Sequence, residues 1–133
     1  MKKIRMLMAK AGLDGHQRGI RVVTKVLRDA GIEVVYLGAY NTVEQIVEAA
    51  VQEDVDVIGL SSLCGAHRTV APRVAALMKE KGLDDVLLTV GGIIPDKDVP
   101  ALLESGVGKI FKSGSPLPEI VDFIKDHVRE KRV

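Results

Sequence analysis

Asp14-Gly15-His16-Gln17-Arg18-Gly19 carries the residue types of a metal site. An imidazole with a carboxylate two positions away suits metal chemistry. One ring nitrogen coordinates; the other donates to the carboxylate, which fixes the tautomer and makes the ligand more basic. Three further stretches are rich in small or hydroxyl-bearing residues: Ser61-Ser62-Leu63-Cys64-Gly65, Gly91-Gly92 and Ser113-Gly114-Ser115. Glycine lets a ligand approach the backbone, and serine can hydrogen-bond a buried heteroatom. Together they imply a ligand that is large, partly flat and deeply inserted. The glycine spacing matches neither the dinucleotide nor the P-loop fingerprint. Taken singly, each stretch has a plainer reading. Gly91-Gly92 is then a turn, the serine pair a strand-end cap, and Cys64 a small buried filler with nothing to activate its thiol. His67, at the start of a helix, reads as an exposed or capping residue, and His127 as solvated.

The elements that must position these residues alternate with little linker. Ile4–Ala9 is apolar enough for a buried strand, and Arg18–Ala30 carries a helical stripe at Ile20, Val23, Val26, Leu27 and Ala30 that Gly31 ends. Ile32–Leu37 is the second strand. Thr42 is a good N-cap for a helix over Val43–Glu53, with Gln45 as its capping-box partner. Val55–Leu60 is the third strand, and a helix over His67–Lys81, stopped by Gly82, comes after it. Val86–Val90 is the fourth strand, then a short helix over Asp96–Glu104, distorted at Pro100. Val107–Phe111 is the fifth strand, and Pro116–Val128 the last helix. Five β-α units in series predict one α/β domain over residues 1–133. They make a flavodoxin-like, doubly wound parallel sheet of Rossmann type with strand order 2-1-3-4-5 and right-handed crossovers. In that sheet the loops after strands 1, 3, 4 and 5 share one edge, where ligands bind. The Asp-x-His stretch and all three glycine- or serine-rich stretches fall there.

Composition narrows the function classes. The chain has 133 residues, 47% of them apolar, and a net charge of +1 with both signs interspersed. A nucleic-acid partner would want a concentrated basic face, and 3% aromatic residues leave little for base stacking. The single cysteine excludes an internal disulfide and a multi-cysteine zinc site, and points to a reducing compartment. No apolar run approaches the roughly 20 residues of a membrane span. The expectation is a complete, soluble, cytoplasmic chain.

The joint pattern Asp14-x-His16-x-x-Gly19, Ser61-x-Leu63 and Gly91-Gly92, with residues 20–60 and 64–90 between, resembles the fingerprint of cobalamin-binding domains. Ala9-Lys10-Ala11-Gly12-Leu13-Asp14-Gly15-His16, Leu60-Ser61-Ser62-Leu63-Cys64-Gly65-Ala66-His67 and Thr89-Val90-Gly91-Gly92-Ile93-Ile94-Pro95 look like the C-terminal domain of methylmalonyl-CoA mutases. The resemblance implies His16 as the lower axial ligand of cobalt, Asp14 holding its other ring nitrogen, and Lys10 supporting Asp14. It implies a displaced nucleotide tail running beside Ser61, Leu63, Gly91 and Gly92. Gly15, Gly19 and Gly65 belong to the same motifs. Phe111, Gly114 and Ser115 match family positions near the tail, where members often carry other residues at 111, 113 and 115.

The resemblance further implies the cofactor-binding small subunit of an adenosylcobalamin-dependent acyl-CoA mutase, an isomerase working by radical carbon-skeleton rearrangement. A separate TIM-barrel large subunit would bind the acyl-CoA substrate, since this chain has no room for a barrel. Two alternatives stand beside it: a methyl-carrying corrinoid protein of a methyltransferase complex, and a non-catalytic cobalamin-binding module. The missing helical cap ahead of strand 1 speaks against the first. A phosphorylatable response regulator fails because strand 3 ends in Leu60-Ser61-Ser62 where that function needs an aspartate.

Overall fold

The computed structural model describes residues 3–10, 18–38, 41–62, 67–112 and 114–132. Its elements are β1 (Arg5–Lys10), α1 (Arg18–Asp29), β2 (Glu33–Tyr36), α2 (Val43–Glu53), β3 (Val57–Ser62), α3 (His67–Glu80), β4 (Leu87–Gly92), a 3-10 turn (Asp96–Asp98), α4 (Val99–Ser105), β5 (Lys109–Lys112) and α5 (Leu117–Arg132). The five strands form one parallel sheet in the order β2-β1-β3-β4-β5, as the sequence predicts.

Strand alternation sends successive side chains to opposite faces, so each central strand feeds two cores. Leu7, Ala9, Ile58, Leu60, Leu88 and Val90 pack on one face against Ile46 and Val47 of α2 and Ala71 and Val74 of α3. Met6, Met8, Val57 and Leu87 pack on the other against Leu27 of α1 and Ile120 and Ile124 of α5. Parallel register fixes which residues share a row: Met8, Gly59, Thr89 and Lys109 form one, and Lys10, Ser61, Gly91 and Phe111 the next toward the C-terminal edge.

Local chemistry sets the helix ends. The Gln45 amide donates to Thr42 Oγ1 at 3.1 Å, and the Thr42 amide donates to Gln45 Oε1 at 2.8 Å, which completes the expected capping box. Gly31 and Gly82 end α1 and α3 with φ of 91° and 76°, in the left-handed region that glycine occupies freely. The helix expected over Asp96–Glu104 divides before Pro100 rather than bending at it. The 3-10 turn ends at Asp98, and the proline sits in the first turn of α4, where its missing N–H is harmless.

Two histidine readings need correction. His67 is neither exposed nor a cap: its side chain is 1% exposed, and its Nε2–H donates to Asp98 Oδ2 at 3.0 Å. Arg68 Nε donates to the same oxygen at 2.8 Å. A helix-start position says nothing about burial; here the residue is turned inward and meets Asp98 at the end of the 3-10 turn. His127 is half-buried and stacks on Phe123, with ring centroids 6.0 Å apart. Its place on the inward side of α5 outweighs its nearness to the chain end. Cys64 lies outside the described residues.

Thr42→Ala removes an N-cap and should lower unfolding free energy by about 1 kcal/mol, measurable by urea denaturation. The Arg68 guanidinium and His67, both bonded to Asp98, hold its carboxyl below the usual carboxylate range. That stabilisation is complete above the unfolded-state value and is lost as pH falls through the lower folded-state one. Wild type should therefore lose stability below about pH 4. In Asp98→Asn, melting temperature should fall less steeply across that window.

Candidate functional site

The two rows nearest the C-terminal edge explain where a ligand fits. On the face covered by α1 and α5, β3 places Gly59 and β4 places Gly91 where neighbouring positions carry side chains. The result is a cavity of about 240 Å³ between the sheet and these helices. Met6, Met8, Val23, Leu117 and Ile120 make an apolar lining beside Gly59. Lys10, Ser61, Gly91, Gly92, Lys112, Gly114 and Ser115 make a polar one toward the C-terminal edge. Such a gradient suits a ligand with a flat apolar end and a polar, anionic connector.

Gly59 is the tight point. A Cβ there would lie 2.6 Å from both Met6 Cε and Met8 Sδ, so the methionine ends rest directly against the glycine. Gly91 is more open: the nearest heavy atom to a Cβ built there is the Phe111 carbonyl oxygen at 3.5 Å, an ordinary contact. Lys10 is only 1% exposed although it carries a charge. Its backbone N–H donates to Gly38 O at 3.3 Å, which ties the end of β1 to the segment after β2. At β5, Phe111 meets Phe123 edge-on at 5.8 Å, and the Lys109 ammonium sits 5.2 Å from the Phe123 ring centre, within cation–π range. Ser115 closes the turn after β5 by donating its hydroxyl to Lys112 O at 2.6 Å.

Seven expected site residues therefore line one cavity: Lys10, Ser61, Gly91, Gly92, Phe111, Gly114 and Ser115. Gly19 falls in the first turn of α1. Asp14, Gly15, His16, Leu63 and Gly65 lie outside the described residues, so the metal reading is untouched by this geometry. Sequence reasoning missed Gly59, Met6, Met8 and Thr89. The signal was available: stepping back two residues from Ser61 and from Gly91 along their strands reaches Gly59 and Thr89, on the same face. A glycine inside an otherwise apolar strand also marks a close approach.

The B12 binding domain family matches residues 4–121. The chain is 45% identical over 125 residues to the 2-hydroxyisobutanoyl-CoA mutase small subunit of Aquincola tertiaricarbonis, covering 94% of this chain and 92% of that one. It is 42% identical over 123 residues to the pivalyl-CoA mutase small subunit of Xanthobacter autotrophicus, covering 92% and 82%. Among solved structures, a cobalamin-binding protein from Desulfitobacterium hafniense superposes with a TM-score of 0.78 at 22% identity, over 96% of this chain and 59% of that one, a likeness of fold. The resemblance drawn from the His16, Ser61 and Gly91-Gly92 motifs is thus borne out over nearly the whole chain, and the chain belongs to the B12-binding domain family.

Proposed function

We propose that this chain is the cobalamin-carrying small subunit of an acyl-CoA mutase, an isomerase, and that it acts in the cytoplasm as a single cofactor-binding domain. The observation that carries the reading is the glycine-floored slot. It is apolar beside Gly59, polar at Lys10, Ser61 and Lys112, and lined also by Gly91, Gly92, Phe111, Gly114 and Ser115, which the resemblance assigns to the nucleotide tail. The likeness to two mutase small subunits, each matched over most of its length, supports the subunit role.

The residues fit the cofactor. A trough with glycine at 59 and 91 and only flexible methionine ends over Gly59 suits a flat base, and the lysines and serines beyond it suit a ribose phosphate connector. His16 would ligate cobalt, with Asp14 fixing the imidazole through its other nitrogen. Lys10, at the end of β1, would support Asp14. Adenosylcobalamin, when bound, supplies the radical chemistry of carbon-skeleton rearrangement. This chain's residues bind and orient; none of them is an acid–base catalyst. A TIM-barrel large subunit would hold the acyl-CoA and choose among acyl groups. Among the described residues no helix is long and apolar enough to cross a membrane.

Titration of the purified chain with adenosylcobalamin, with and without a candidate large subunit, should show uptake with the benzimidazole displaced from cobalt. Turnover should be supported by the adenosyl and not the methyl form. A spectrum with benzimidazole still attached, or no uptake in either setting, overturns the reading. His16→Ala should cost most of the affinity, and Asp14→Asn less, on the order of 10-fold. Gly91→Ala meets only ordinary contact within the chain. It should leave the melting temperature nearly unchanged while weakening cobalamin binding about 10-fold, the effect of a misplaced methyl in a close-packed site. Equal affinity would show that the tail does not use the slot.

A further inference from the structure

His67 and Asp98 are not among the residues that line the slot, yet their place in the fold gives them a bearing on it. β3 and β4 end side by side, with Ser61 opposite Gly91 and Ser62 opposite Gly92. Beyond β3 the next element begins at His67, and beyond β4 the 3-10 turn ends at Asp98. These two residues meet through the 3.0 Å bond between His67 Nε2 and Asp98 Oδ2. The chain leaving β3 and the chain leaving β4 are thus joined twice, by the sheet ladder and by a side-chain bond between residues 31 apart.

We propose that His67 and Asp98 are positioning residues for the cofactor slot: their bond closes a frame that holds the strand-end residues Ser61, Gly91 and Gly92 at the spacing the nucleotide tail requires. The proposal rests on the cobalamin reading. Three observations carry it. The 3-10 turn buries no residue of its own, so polar ties and the neighbouring Ile94 must place it. Asp98 is 14% exposed and takes Arg68 on the same oxygen as His67, so α3 grips it through two consecutive residues. Asp96, at the other end of the turn, pairs with Lys112 at the end of β5, a slot residue, so the turn braces the β5 edge too. An apolar pair in place of His67 and Asp98 would bury area without fixing direction. A hydrogen-bonded pair fixes both distance and angle.

The test compares wild type with Asp98→Ala, His67→Leu, the double variant, and Asp98→Asn, which keeps an acceptor for His67. Cobalamin affinity is read from the visible spectrum of the purified chain, the folded fraction from circular dichroism at the same temperature, and amide exchange of residues 91–94 without cofactor. Asp98→Ala and His67→Leu should each weaken binding about 10-fold beyond any loss of folded chain. The double variant should be no worse than the weaker single one, and Asp98→Asn should stay within about 3-fold of wild type. Exchange at 91–94 should quicken in the single variants while exchange at Leu7 and Ile58 stays unchanged. Wild-type affinity in Asp98→Ala, multiplied losses in the double variant, or losses that track the folded fraction would overturn the proposal. If His67→Leu does not fold, the two Asp98 variants decide by themselves. A wild-type chain that takes up no cobalamin either alone or with a candidate large subunit defeats the functional reading instead, and unchanged exchange at 91–94 then defeats the frame independently.

Discussion

A parallel sheet covered by helices on both faces has no natural room for a ligand, because every inward position is filled by a side chain. Room appears only where side chains are withheld. Here Gly59 and Gly91 withhold them on the face beneath α1 and α5, in adjacent rows of adjacent strands. The slot and its lining descend from that omission. On the opposite face the described residues Leu60, Val90 and Ala71 pack into one buried cluster.

Much of this was legible in the order of residues. Alternation of apolar runs with helical stripes pointed to the strand order, because five β-α units admit few topologies. Thr42 with Gln45 marked a helix start that the structure reproduces atom for atom. Gly91-Gly92 stood out because two adjacent glycines at a strand end are visible without knowing what packs over them. Gly59 did not. Inside Val57-Ile58-Gly59-Leu60 it reads as one weak position in a buried strand, and its meaning appears only when register sets it between Met8 and Thr89.

His67 was hidden for a related reason. Sequence places it at the start of a helix, but its burial is decided by a turn some thirty positions later that no local rule connects to it. Its partner Asp98 fell inside the helix expected over Asp96–Glu104, with no role assigned to it. Long-range polar pairs carry no periodicity, so they are the class of interaction a single sequence conceals best. His127 shows the milder form: nearness to the chain end pointed to solvent, whereas it lies one turn beyond Phe123 and stacks on it, on a helix whose Ile120, Ile124 and Val128 are buried.

The methionine ends resting on Gly59 have a consequence for the cofactor-free molecule. Unbranched thioethers rotate cheaply and tolerate many neighbours. Met6 and Met8 can therefore lie across the floor when nothing else does and turn aside when something arrives. Loading the slot becomes an exchange of companions rather than the relief of a vacuum. A stiff, branched lining at positions 6 and 8 could not swing aside in this way.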